Sequence, residues 1–226
     1  MFPILSRIRP WAAAASLLLI LPTGLAMANS GAEDASWFDL PDVDEISSGE
    51  LRFLAEPPEK AVHHHRNRLI VNRASLTDGW ATLEQCHRHL DPVPLAEVVY
   101  RADRVSDLAI TEAEGIGHAA VDGASVQLRD VGPDARLCVR ARSRVVHRLD
   151  DGGYAIRNGP FMRRFLDGYF PMRVSLRVEF PVDELQVTGT SPAAQPGVRV
   201  DHQPGAVDID AWFEGRLLTE VRIRPR

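Results

Sequence analysis

The stretch Met172-Arg173-Val174-Ser175-Leu176-Arg177-Val178-Glu179-Phe180 is apolar at every even position and polar at every odd one. A side-chain period of two belongs to an extended strand that buries one face and wets the other. The pattern recurs on both sides. Val207, Ile209, Ala211 and Phe213 alternate with Asp208, Asp210, Trp212 and Glu214, and Leu137, Val139, Ala141 and Val145 alternate with Cys138, Arg140, Arg142 and Arg144. Weaker strand patterns cover residues 50–55, 65–72, 80–90, 98–100, 105–111 and 217–223. Asp122-Gly123 and Asp150-Asp151-Gly152-Gly153 read as hairpin turns, Ala74 to Gly79 as a turn, and Glu214-Gly215-Arg216 as the turn of a C-terminal hairpin. Repeated one-sided strands predict a mainly β protein, an antiparallel β-sandwich or open barrel. One short helix is expected near 160–167: Asn158 caps it, Pro160 occupies its first turn, Phe161 and Phe165 stack four apart, and Gly168 ends it.

The first 28 residues read as an export signal. Arg7 and Arg9 precede an apolar run from Trp11 to Leu21, and Ala26-Met27-Ala28 forms a small-x-small cleavage site. The run is shorter than the roughly 20 residues a membrane span needs, so the mature form is expected to have no transmembrane segment. The competing reading is an uncleaved anchor. The periplasm is the expected compartment, with a eukaryotic secretory route as the alternative. Removing 28 of 226 residues leaves 198, and losing two arginines moves the net charge from −5 to −7. Residues 29–60 carry nine carboxylates against Arg52 and Lys60. They form an acidic, partly flexible leader before a neutral β-rich body over 61–226. That body is one unit or two β halves, with a boundary near 133–136 or 181. A neutral body with an acidic leader argues against nucleic acid as a partner.

The only two cysteines, Cys86 and Cys138, pair most simply as one disulfide in an oxidising compartment. Two buried thiols or two metal ligands are the other readings. Histidines are the most informative polar residues. His63 and His65 share one face of an extended chain, as do His87 and His89, and neighbouring strands would bring up to four imidazoles together. Neutral imidazole suits Zn or Cu. The bland alternative is an exposed strand start at His63–His65 and hydrogen-bonded side chains at His87 and His89. No His-Glu-x-x-His motif and no Gly-x-Ser-x-Gly nucleophile turn occurs. The glycine pair Gly115 and Gly117 reads as a bend.

Arg140, Arg142 and Arg144 share a face with Arg136, and Arg163 and Arg164 precede the aromatic pair Tyr169 and Phe170. Guanidinium groups in a row can hold a carboxylate or phosphate, and aromatic rings dock partners. The bland reading is a solvated face neutralised by carboxylates, and 25 of the 26 basic residues are arginine, which makes any arginine cluster less informative. The leading functional expectation is a non-catalytic envelope module that meets an envelope protein or an anionic ligand and needs no cofactor. The alternative is a metal protein built on His63, His65, His87 and His89, with metal-dependent hydrolysis as its enzymatic form.

Overall fold

The computed structural model describes residues 50–165 and 168–226. The segment expected to be an export signal, most of the acidic leader and residues 166–167 lie outside them. In chain order the elements are β1 (Arg52–Phe53), β2 (His64–Ile70), α1 (Ser75–Asp78), β3 (Trp80–Arg88), β4 (Val93–Val99), β5 (Val105–Asp122), β6 (Ser125–Arg144) and β7 (Val146–Arg148). They continue with β8 (Tyr154–Phe161), β9 (Arg164–Phe165), β10 (Gly168–Tyr169), β11 (Met172–Glu179), β12 (Leu185–Ser191), β13 (Val198–Gln203), β14 (Ala206–Glu214) and β15 (Leu217–Pro225). The mainly β expectation holds. A nine-stranded sheet runs β1-β14-β11-β2-β3-β6-β4, with β13 on β14 and β5 on β6, and a four-stranded sheet runs β12-β15-β8-β7. The large sheet is not wholly antiparallel, because β2 and β11 pair in parallel.

The alternation works as read. In β11 the side chains Met172, Val174, Leu176 and Val178 are buried, and Arg173, Ser175, Arg177 and Glu179 face the other way. The inner set meets Ile209 and Phe213 of β14 and Leu217, Val221 and Ile223 of β15, so both sheets close on one core. A second apolar cluster lies under the long β5–β6 hairpin, around Val126, Leu128, Leu137 and Val139. Tyr100 packs against both clusters. Strand β6 runs through residues 133–136, and strands from either side of residue 181 share the large sheet. No helix among the described residues is long and apolar enough to cross a membrane.

Two local expectations are corrected. The short helix is at Ser75–Asp78, where a turn was read: Asn72 Oδ1 accepts the Ser75 N–H at 3.1 Å, and Gly79 at φ +82° ends the element. No helix forms at 158–165, because Asn158 to Phe161 belong to β8 and pair with β15. Gly159 lies at φ +107°, outside helical backbone, and the residue before a proline is sterically turned away from the α region. Pairing with β15 satisfies backbone groups that a two-turn helix would leave to solvent. The expected C-terminal hairpin is also absent. Chain after Glu214 leaves the large sheet and enters the small one, so β14 and β15 bury their apolar faces from opposite sides. Gly215 makes that crossing at φ +89°, where a Cβ would sit 2.1 Å from Glu50 O.

Cys86 and Cys138 occupy directly opposed positions on β3 and β6 and are joined by a disulfide, with Sγ–Sγ 2.12 Å. Their side chains lie on the opposite face of β3 from His87, so neither is available to the histidines.

Candidate metal centre

Residue parity places the histidines. On β2 the inward side chains are those in step with Leu69, namely His65 and Asn67, and His63 continues that face just before the strand. On β3 the inward side chains in step with Leu83 are Gln85 and His87. The antiparallel register sets His65 opposite His87 and Asn67 opposite Gln85. Polar side chains therefore replace apolar ones on the core-facing side of two neighbouring strands. Asn67, Gln85 and His87 are each at most 4% exposed.

His63, His65 and His87 come together. His63 Nε2 lies 3.1 Å from His87 Nδ1, and His65 Nε2 lies 3.0 Å from His87 Nε2. One ligand nitrogen from each ring can be chosen so that all three lie within 4.8 Å of one another. Phe161 closes the far side with an edge contact to His65 at 5.3 Å between ring centres. Burial holds the pKa values of His65 and His87 well below the ordinary imidazole range. His63 is lowered to about 4, first by burial and then by the Arg163 guanidinium. All three rings are neutral at pH 7, the form that ligates metal.

Proton accounting leaves a gap. His87 Nε2–H can donate to Gln85 Oε1 at 3.1 Å, which frees His87 Nδ1 to accept from His63 Nε2–H. His65 Nε2 then faces the same His87 N–H, and His65 Nδ1 is buried with no hydrogen-bond partner. Closed hydrogen bonding among the three rings is therefore incomplete. A tetrahedral zinc with Zn–N of about 2.0–2.1 Å spaces its ligand nitrogens about 3.3–3.4 Å apart. The 3.1 Å contact between His63 Nε2 and His87 Nδ1 is near that edge. The supporting shell also fits. Gln85 Oε1 takes the outer N–H of His87 and accepts from Tyr100 O–H at 2.5 Å, while Gln85 Nε2 donates to Asn67 Oδ1 at 2.7 Å. An outer carbonyl acceptor is what fixes the tautomer of a metal-bound histidine.

His89 does not join them. Strand β3 ends at Arg88, His89 turns to φ +54°, and its Nδ1 lies 3.6 Å from Asp134 Oδ1. The expected four-imidazole convergence is thus a convergence of three. His64 points to the opposite face, where its Nε2 lies 2.7 Å from Ser175 Oγ. Ser175 Oγ donates to Asp210 Oδ1 at 3.1 Å, and Arg173 grips the same carboxylate at 2.9 and 2.6 Å. A hydrolytic relay needs the carboxylate on the far nitrogen of the histidine. Here Asp210 holds the serine and the arginine instead.

The arginine face is exposed, as expected, and much of the large sheet's outer surface is internally neutralised. Arg140 lies opposite Glu84, and Arg142 pairs with Asp78 at 3.2 Å and stacks over Trp80. Arg68 bridges Glu84 and Glu179, and Arg177 bridges Glu179 and Asp208. Arg144 instead borders a cavity beside His65. Arg163 is held by Asp91 at 3.0 and 2.6 Å and lies over the ring of Phe170, and Arg164 lies over Tyr169. Arg164 and Tyr169 pair across the β9–β10 ribbon, and Arg163 and Phe170 flank it, joined by a backbone hydrogen bond of 2.9 Å.

Gln85, Asn67 and Tyr100 were not anticipated as part of the site. The first two carried a signal, since they share the parity of Leu83 and Leu69. Tyr100 carried none, because it follows the end of β4.

Fold and cluster together define a mainly β protein with a three-histidine cluster in which His87 is buried and His63 and His65 are half-buried. No protein-family model matches the chain, and no curated protein matches it. Among solved structures the chain is similar to an M1 zinc metallopeptidase of Deinococcus radiodurans bound to a Tyr-Ser-Ala substrate, at 13% identity and TM-score 0.41, over 78% of this chain and 43% of that one. It is also similar to a two-domain M1 zinc metallopeptidase bound to L-tryptophan, at 13% identity and TM-score 0.39, over 79% of this chain and 43% of that one. This chain spans less than half the length of those structures. Likeness at these scores carries no inference about activity.

Depressed histidine pKa values give the metal-free protein a pH signature. Unfolded histidines take up protons near 6.5, whereas folded His63 does so only near 4. Between those values the unfolded state binds more protons, so stability falls as pH falls. It is fully present above about 6.5, and His63 alone contributes at most about 3 kcal/mol to the loss. Urea unfolding in the presence of a chelator is expected to show a lower midpoint at pH 4.5 than at pH 7.5. Equal midpoints would contradict the buried neutral rings.

Proposed function

We propose that this chain is an exported, periplasmic metal-binding protein that holds one Zn or Cu ion on His63, His65 and His87. A single observation carries the reading: three neutral imidazoles from two adjacent strands converge on the core-facing side, within 4.8 Å of one another. The orphaned His65 nitrogen and the Gln85 support of His87 favour it further. Export is supported by the basic, apolar and small-residue segments of residues 1–28 and by the disulfide. Metal binding is favoured over hydrolysis because His87 is 1% exposed and Asp91, the carboxylate that acts on His63, is held by Arg163.

The test is elemental analysis of untagged protein isolated from the periplasm, before and after addition of Zn or Cu. About one ion per chain is expected. Protein found only in the cytoplasm would end the export reading, and protein that neither carries nor takes up metal would end the metal reading. Substituting Gln85→Met, which removes the acceptor for His87 while keeping its bulk, is expected to weaken metal binding by about 10–100-fold. Competition against a chromophoric chelator measures it, and an unchanged affinity would remove Gln85 from the site.

A further inference from the structure

We propose that the cavity beside His65 binds a small organic monocarboxylate. It has a volume of about 130 Å³ and lies against β2, β3, β6 and β8 and the β4–β5 connection. Part of the wall is apolar, with Leu83, Val98, Val145 and Phe161. Four arginines, Arg101, Arg104, Arg144 and Arg157, also line it, and no carboxylate does. The acids that pair with three of them, Asp103 with Arg101 and Arg104 and Glu220 with Arg157, stand outside the lining. Charge of one sign on low-dielectric walls focuses a positive potential inward and raises the local concentration of anions.

The neutral polar residues of the wall favour the same ligand. Gln85 Oε1 is already engaged by Tyr100 and His87, and Asn158 Oδ1 accepts from the Gly159 N–H at 3.0 Å. Asn158 Nδ2 is buried with no hydrogen-bond partner, so this wall residue has a donor to spare. Spare donors, guanidinium groups and no spare carboxylate select an acceptor-rich anion. The aliphatic and aromatic wall selects an apolar body. Benzene fills an engineered cavity of about 150 Å³, so the body is about one ring or a short alkyl chain. An inorganic phosphate would leave the apolar wall uncovered. A neutral hydrocarbon would leave the donors unmet.

His65, Gln85, Tyr100 and Phe161 border both this cavity and the histidine cluster, and the inference does not rest on metal being bound. The experiment titrates the full mature chain, both metal-stripped and zinc-loaded, with benzoate and with hexanoate. Benzyl alcohol and hexanol are run in parallel, with saturation-transfer NMR and calorimetry as readouts. Saturable one-to-one binding of a carboxylate in the stripped protein is expected, at least tenfold tighter than its alcohol. A double substitution at exposed positions, Arg104→Gln with Arg144→Gln, is expected to weaken it at least tenfold while the circular dichroism spectrum is unchanged. Asn158→Leu, a second and independent variant, should also weaken it. Absence of saturable carboxylate binding, alcohols that bind equally well, or a folded arginine double variant with undiminished affinity would each overturn the proposal. None of these outcomes bears on whether the histidines hold metal.

Discussion

Replacing His87 with alanine is expected to abolish measurable high-affinity metal binding, a loss greater than about 100-fold. That exceeds the 10–100-fold that removing a supporting hydrogen bond costs. His87 is the central ring, within hydrogen-bond distance of both His63 and His65. Comparable losses are expected for His63→Ala and His65→Ala. The pattern across His63, His64, His65, His87 and His89 is more telling than any one of them. His64 faces Ser175 on the outer surface, and His89 leaves the strand toward Asp134. Alanine at either of those positions is expected to change affinity by less than threefold. Nonspecific binding to a histidine-rich segment would weaken in steps with every histidine removed. Chelator competition on the five single variants separates the two patterns, and equal losses at His64 or His89 would refute the site as drawn.

Removal of the disulfide is expected to give a large loss of folding stability. Cys86 and Cys138 are 52 residues apart in sequence, and the bond closes a loop that contains β4 and β5. Restricting a loop of that length in the unfolded chain is worth about 4 kcal/mol on the chain-entropy argument, an upper value where the reduced chain keeps residual structure. Cys86 is half-buried and Cys138 is 5% exposed, and serine is close in volume to the cysteine it replaces, so the variant leaves little cavity behind. The Cys86→Ser, Cys138→Ser double variant is therefore expected to lose about 2–4 kcal/mol in guanidinium unfolding and to retain the metal stoichiometry of the parent chain. A loss below about 1 kcal/mol would show that the β3–β6 pairing restrains the unfolded chain little.

Much of the strand content was legible because one-sided strands announce themselves. Met172 to Phe180 and Val207 to Phe213 bury every second residue as the alternation requires. Where the chain changed sheet, the same alternation was silent. Period two is blind to which sheet a strand joins, so Glu214-Gly215-Arg216 looked like a hairpin turn. Apolar residues at helical spacing misled at Phe161 and Phe165, although Gly159 before Pro160 already opposed a helix there. At the histidine cluster, shared parity of His63 with His65 was readable, and pairing of β2 with β3 was the condition for convergence. What could not be read was the strand end at Arg88, which turns His89 out of the set. The internal position of the rings was readable in part, from the parity that His65 and His87 share with Leu69 and Leu83. Outer-face arginines were identifiable as a row, but their partners, Glu112 for Arg136 and Asp78 for Arg142, come from elements whose placement the sequence does not fix.

X-ray absorption at the metal edge of the zinc-loaded chain tests the three-imidazole centre most directly. The account predicts a first shell with three imidazole nitrogens at about 2.0–2.1 Å and no sulfur. A shell of oxygen alone, a sulfur ligand, or a spectrum unchanged in the His87→Ala variant would contradict it.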